Sequence, residues 1–385
     1  MTFRPARPLN DLFATRTSIK WRRFPADVLP MFVAEMDFDM DEQIRDRVHK
    51  ALDYSDTGYL EAPGELADVF ADFAHSSWQL QVNPEWVHLA TDVTVGIVET
   101  LRLALPPAGG KVVVTSPVYP PFYEMIDEVH GICCDVPLSE ENEWSLDLPG
   151  IAAEFDAGAT AMILCNPQNP TGRCHSRESL AELARLAAER NVLVISDEVH
   201  APLSHPGTSF TPFASVAAEA GTPAITVTSA SKGWNLAGLK CALVIAATPH
   251  TALLLDKLPE ELAARTSILG LHANIAAFTC LAWRDDAVNQ IVSNVDLLIQ
   301  ELAGTVPEVK VIRPDAGYLT WLDLRGTTLG SDPALILRET GRVALNSGLS
   351  FGPAGTGFAR INLACDPSTV VEGAARIVRT VTSHC

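Results

Sequence analysis

The sequence predicts an α/β protein: a large domain on a mainly parallel seven-stranded sheet flanked by helices, with a smaller α+β domain. Three observations carry that expectation. Between about residues 85 and 285, short apolar runs alternate with helical stretches, as successive strand–helix units do. Most of these runs are continuously apolar, the signature of strands covered on both faces. Beyond about residue 286 the order changes to one long helix followed by shorter pieces.

Residues 1–46 hold little regular pattern apart from 29–33, and are expected to lie across the large domain or against the small one. The strand candidates are 87–91, 111–116, 131–136, 160–165, 192–196, 224–228 and 241–246. Helical stretches such as 179–189, rich in Ala, Leu, Glu and Arg, separate them. Residues 287–303 read as the long helix, and 309–312, 317–323 and 359–362 as later strands. The expected division is a large domain at 47–285 and a small one formed by 1–46 and 286–385.

A chain of 385 residues, 47% hydrophobic and 19% charged, can bury a substantial core and is globular, not disordered. The net charge of −19 argues against nucleic acid or an anionic membrane as a partner. Apolar runs are strand-length, and the N-terminus lacks the apolar core of a signal peptide, so a cytoplasmic protein is expected. Eight cysteines, at 133, 134, 165, 174, 241, 280, 365 and 385, include no CxxC pair. They read as reduced, mostly buried thiols, and a zinc site is not expected.

In an open parallel sheet, ligands bind at the carboxyl ends of the strands, so the turns there carry the chemistry. After 224–228 come Ser229 and Ser231 and then Lys232 beside Gly233. A lysine at the edge of an apolar sheet is desolvated, which favours the neutral amine that a Schiff base requires. After 192–196 stand Asp197, Glu198 and His200; a buried carboxylate there needs a cationic partner. After 160–165, Asn166 to Gly172 form a rigid turn with two Asn-Pro pairs. After 111–116, Tyr119 sits among prolines and could stack on a planar ligand, and residues 94–98 open a helix over 98–105 whose free N–H groups could hold an anion. Singly, each has an ordinary reading: a loop lysine, a tight turn, a packing aromatic, a helix start.

Rival motifs fail. The Asp-Glu-Val-His run lacks the GxxxxGK[ST] of a P-loop ATPase. Gly348 to Gly352 matches GxSxG, yet only His384 follows, so a hydrolase is not expected. Gly352, Gly355 and Gly357 lack dinucleotide-binding spacing and read as a flexible turn presenting Arg360.

Together the pieces resemble the pyridoxal-phosphate enzymes of the aspartate aminotransferase fold, and within them the cystathionine β-lyase (C–S lyase) branch of the class I/II aminotransferases. The resemblance rests on Ile19-Lys20-Trp21, residues 29–38, 116–122, 165–172, 196–200, 229–239, 317–325 and 351–364. It implies pyridoxal 5'-phosphate as cofactor, Lys232 as the Schiff-base lysine and general base, and Asp197 as partner of the pyridine nitrogen. Asn169 would bond the ring hydroxyl, Tyr119 would stack on the ring and face substrate, and Arg360 would clamp the substrate carboxylate. Ser229 and the amides of Ile97 and Val98 would hold the phosphate, with Ser231, Lys240 and His200 as further cofactor contacts. Tyr59 resembles the residue that reaches a neighbouring subunit's phosphate, implying a homodimer with shared sites.

The chain also departs from that pattern. Glu35 replaces an aspartate, Arg22 an acidic residue, Gly317 a threonine, and Glu141 to Trp144 an Asn-Gly-Arg-Tyr-like stretch. His200 stands where aminotransferases carry tyrosine, and Lys240 where they often carry arginine. The expected activity is α,β-elimination on cystathionine or a cysteine S-conjugate, giving a thiol, pyruvate and ammonia. Aminotransfer to a 2-oxo acid is the near alternative, and a non-catalytic regulatory protein-binding role the distant one.

Overall fold

In a computed structural model, which describes residues 6–384, the chain enters through β1 (Leu29–Pro30) and then builds one seven-stranded sheet. Its strands are β2 (Val87–Ala90), β3 (Lys111–Val114), β4 (Ile132–Asp135), β5 (Ala159–Cys165), β6 (Leu193–Asp197), β7 (Ala224–Thr228) and β8 (Ala242–Ala246). Their spatial order is β2-β8-β7-β6-β5-β3-β4. Neighbours from β7 through β4 pair in parallel, while β8 runs against both β7 and β2. The mainly parallel sheet expected from the apolar runs is therefore present.

Side chains from successive strand positions enter opposite layers. Val112 and Val114, with Ile163, Ile195 and Val227, pack with residues of helices Val93–Ala104 and Pro121–Glu128. Val113, Met162, Leu164 and Val194 enter the opposite layer, with residues of helices Leu148–Asp156, Arg177–Arg190 and Phe213–Ala220. Two-sided burial is what makes the runs continuous. The edge strand β4 is the exception, with Ile132 60% exposed.

A second, four-stranded antiparallel sheet has the order β12-β13-β10-β9, from β9 (Lys310–Ile312), β10 (Leu319–Asp323), β12 (Asn346–Ser347) and β13 (Phe358–Asn362). β11 (Val343–Ala344), just before β12 in the chain, pairs in parallel with β1 as a separate two-stranded sheet, which ties the N-terminal segment to the C-terminal part of the chain. Helices Leu281–Ala303 and Pro367–Ser383 supply Val295, Leu298, Val370 and Ile377 to a core shared with Leu322 and Ile361.

Among the described residues, no helix is long and apolar enough to cross a membrane. Cys165, Cys241, Cys280 and Cys365 are buried and free, but Cys133 is exposed on the edge strand, against the expectation of mostly buried thiols for that position. Cys385 lies outside the described residues.

Candidate active site

A cavity of about 270 Å³ opens where the carboxyl ends of β5, β6 and β7 meet the N-terminal segment and β13. It brings together nine of the residues singled out from sequence: Tyr119, Asn169, Asp197, His200, Ser229, Ser231, Lys232, Lys240 and Arg360.

Lys232 is aimed by a single helical turn, Ala230–Gly233, that starts as soon as β7 ends. Ser229 caps it: its Oγ accepts from Ser231 N at 3.0 Å and donates to Cys241 O at 2.6 Å. Buried Trp234 anchors the turn from behind, its Nε1 donating to Cys280 O at 3.1 Å. Lys232 Nζ donates to Ala34 O at 3.1 Å. Burial, reinforced by the charge of Arg360, pushes its pKa down to about 8, although Asp197 pulls the other way. A lowered lysine pKa is a nucleophile's condition.

Asp197 is the last residue of β6, beside Cys165 of β5 in register, and is buried. Its Oδ1 accepts from Val199 N at 3.1 Å, and burial pushes its pKa up to about 6. A carboxylate so placed favours a cation at contact distance.

Arg360 reaches the cavity from β13 of the other sheet. Its Nη1 donates to Asn169 Oδ1 at 2.8 Å and its Nη2 to Phe32 O at 3.1 Å, while the guanidinium lies 4.9 Å from the Phe351 ring. Burial lowers its pKa to about 10, so it stays charged at neutral pH. Its Nε is buried with no acceptor.

Tyr119 is half-buried, and burial, with Asp197 second, raises its pKa, so it stays a neutral phenol. His200 is buried and pushed down to about 3 by burial and by the charges of Lys232 and Arg360; it is a neutral imidazole. The departure at Gly317 has a backbone reason, since its φ of +80° favours glycine, and a Cβ there would meet His200 Nδ1 at 3.4 Å.

One expectation needs correction. The helix after β2 begins at Val93, capped by Asp92 Oδ1 accepting from Val95 N at 2.9 Å, and not near residue 98. Ile97 and Val98 are thus buried one turn inside, where helical N–H groups are already bonded to carbonyls four residues back. The N–H groups left free are those of the first turn, and it is Val93 and Thr94 that line the cavity. Tyr59 does not reach the cavity of its own chain and is 91% exposed.

Asp92, Val93, Val33 and Ala34 also line the cavity and were missed; Thr94, the first residue of the 94–98 stretch read as a possible anion site, lines it too. The Asp-Val-Thr-Val run carried a readable N-cap signal; nothing in the local sequence placed Val33 and Ala34 there. Lys240 is exposed and pairs with Asp92 Oδ2 at 2.7 Å. Glu35 and Trp144, where the chain departs from the resemblance, do not line the cavity. Trp144 packs edge-on against Phe358 instead.

This architecture is that of aspartate aminotransferase: the Thermus thermophilus enzyme superposes with a TM-score of 0.82 at 22% identity, covering 97% of this chain and 95% of that one. The pattern of class I and II aminotransferases matches residues 28–377, and the chain belongs to that family. A cystathionine β-lyase of Corynebacterium glutamicum is 36% identical over 366 residues, 94% of this chain and 96% of the relative. A Corynebacterium diphtheriae structure, provisionally named a PLP-dependent β-cystathionase, has a TM-score of 0.91 at 33% identity, covering 98% and 99% of the two chains.

Proposed function

We propose that this protein is a pyridoxal-phosphate-dependent carbon–sulfur β-lyase that cleaves L-cystathionine or a cysteine S-conjugate to a thiol, pyruvate and ammonia. The observation that carries the reading is one cavity holding a lysine of lowered pKa, a buried carboxylate and a buried arginine with an unmatched donor. Full-length similarity to cystathionine β-lyases supports the choice of reaction within the family.

The residues fit the cofactor. Buried Asp197 has the charge to hold a protonated pyridine nitrogen, Tyr119 offers a ring to stack on, and Asn169 a side-chain amide for the ring hydroxyl. The free first-turn amides of Val93 and Thr94, the Ser231 hydroxyl and Lys240 suit the phosphate. Ser229 is less apt as a donor, because its proton already goes to Cys241 O. When bound, the cofactor supplies an electron sink for the negative charge left at the substrate Cα.

Arg360 receives the substrate carboxylate and fixes the Cα beside Lys232. Lys232 Nζ, neutral in a useful fraction at working pH, takes the Cα proton. His200, with its pKa pushed down to about 3, is too weak a base to compete with Lys232 for that proton.

Residues 47–285 serve as the cofactor-binding domain in this reading, and 1–46 with 286–385 as the smaller one. The separate apolar core around Leu298, Leu322 and Ile377 supports that division. The working unit is a cytoplasmic homodimer, supported by free cysteines and by a Tyr59 exposed for a neighbour's phosphate. Incubation with L-cystathionine and no oxo acid tests the reaction: pyruvate and free thiol should form together. Turnover that instead requires a 2-oxo acid makes the enzyme an aminotransferase.

A further inference from the structure

Residues 32–36 cross the cavity as a strap held by almost no regular pairing. Two of its carbonyls cap the site's two cationic side chains, buried Arg360 and part-buried Lys232: Phe32 O accepts from Arg360 Nη2 at 3.1 Å and Ala34 O from Lys232 Nζ at 3.1 Å. Two asparagines fix it from the outer side. Asn362 Nδ2 donates to Val33 O at 2.6 Å and to Glu35 O at 2.7 Å, while its Oδ1 accepts from Ala364 N at 2.8 Å. Asn235 makes a reciprocal pair with one strap residue: Oδ1 accepts from Met36 N and Nδ2 donates to Met36 O, both at 2.9 Å.

The placement of these amides is informative. Asn362 follows Arg360 by two positions on β13, so both side chains leave the same face of the strand and meet the strap side by side. Asn235 follows Lys232 by three residues, in the left-handed conformation (φ +58°) that asparagine tolerates. Each cation is therefore followed, two or three residues on, by an amide that grips the same strap. Every polar group of the Asn362 side chain is used, and Asn235 does for Met36 what a neighbouring strand would do. Ser18 and Trp21 donate to the strap's own Glu35 Oε1, and Lys20 pairs with Asp37 just beyond it.

We propose that Asn362 and Asn235 are positioning residues: they set the register of strap 32–36 against Arg360 and Lys232, and so the slot in which an amino-acid substrate docks. This rests on the amino-acid chemistry proposed above. The slot wall is Val33 and Ala34, and both asparagines lie outside it. The hydrogen bonds of both asparagines go to Met36, Val33, Glu35 and Ala364 and not to Asp197, Tyr119 or the 93–94 turn, so their loss should leave those cofactor contacts in place.

The test uses the holoenzyme and its Asn362→Ala, Asn235→Ala and Asn235→Asp variants. The probe is 2-methylalanine, an amino acid with no Cα proton to lose, titrated by visible absorbance alongside the dissociation constant of pyridoxal phosphate. Both alanine variants should bind 2-methylalanine at least about tenfold more weakly, with cofactor affinity held within about threefold. Asn235→Asp, which keeps the acceptor for Met36 N and loses the donor, should fall between. Hydrogen exchange across 31–38 should rise in step. If 2-methylalanine affinity stays within about twofold of wild type while only the melting temperature falls, the asparagines are merely structural and the proposal is overturned. Should Asn362→Ala fail to fold, Asn235→Ala decides by the same two constants. A wild type that binds cofactor but no 2-methylalanine overturns both this proposal and the function on which it rests.

Discussion

Lys232 and Arg360 face one cavity but arrive by different routes. Lys232 stands one turn beyond β7, and its setting follows from a strand ending, a serine cap and a buried tryptophan close by in sequence. Arg360 comes from the second sheet, and its two partners, Asn169 and Phe32 O, are 191 and 328 residues away along the chain. The backbone that presents the lysine is built locally at a strand end, although Lys232 Nζ itself meets Ala34 O, 198 residues away. The arginine end exists only because three distant segments close on one another. In the proposed reaction, covalent chemistry and charge neutralisation fall at the carboxyl ends of the parallel strands and substrate recognition at a junction.

That contrast can be broken at either end. Lys232→Ala should have the largest effect: loss of the bound cofactor's characteristic absorbance and a fall in kcat of at least about a thousandfold, read by absorbance and turnover. Asp197→Asn should lower kcat by about a hundredfold or more through loss of the charged partner of the ring nitrogen. It should also stabilise the cofactor-free protein at neutral pH by about 1–3 kcal/mol. The sign follows from the raised pKa: the folded chain holds a proton that the unfolded chain has lost between pH 3.8 and about 6, so the wild-type carboxylate costs stability above that window. Thermal unfolding of the two cofactor-free proteins checks it.

Arg360→Ala should act at the junction alone, raising KM by about ten- to a hundredfold while the cofactor's dissociation constant stays nearly unchanged. Steady-state kinetics beside a cofactor titration separates the two ends; a matching loss of cofactor affinity would erase the contrast. The mildest effect is on pH. Loading of cofactor onto the cofactor-free protein should speed up as pH rises, with a midpoint near 8, because the neutral amine reacts and burial has brought Lys232 down from 10.5. Stopped-flow loading rates between pH 6.5 and 9.5 would show it, and a midpoint near that of a free lysine would mean that the ammonium is solvated.

What could be read from the chain matches the same division. The continuous apolar runs gave away the sheet, and the rule that ligands gather at strand ends put Lys232, Asp197, Asn169 and Tyr119 in one place. Arg360 was reachable only through family resemblance, since a lone arginine in a short strand of a different sheet has no local signal. The phosphate end was misplaced by a turn because an N-cap was overlooked: Asp92 starts the helix at Val93, so Ile97 and Val98 spend their amides inside it. Tyr59 is exposed and does not line its own cavity; only the resemblance to the family gave it a role, toward a neighbouring subunit.

By itself the sequence determined the α/β class, the strand ends and the residue types that meet there, because hydrophobic period, capping and turn chemistry are local properties of the backbone. Only the tertiary structure decided that Phe32 and Ala34 offer their carbonyls to Arg360 and Lys232, and that Asn362 and Asn235 hold them there. Those bonds go to backbone atoms, which are the same for every residue and leave no trace in the sequence of the strap that supplies them.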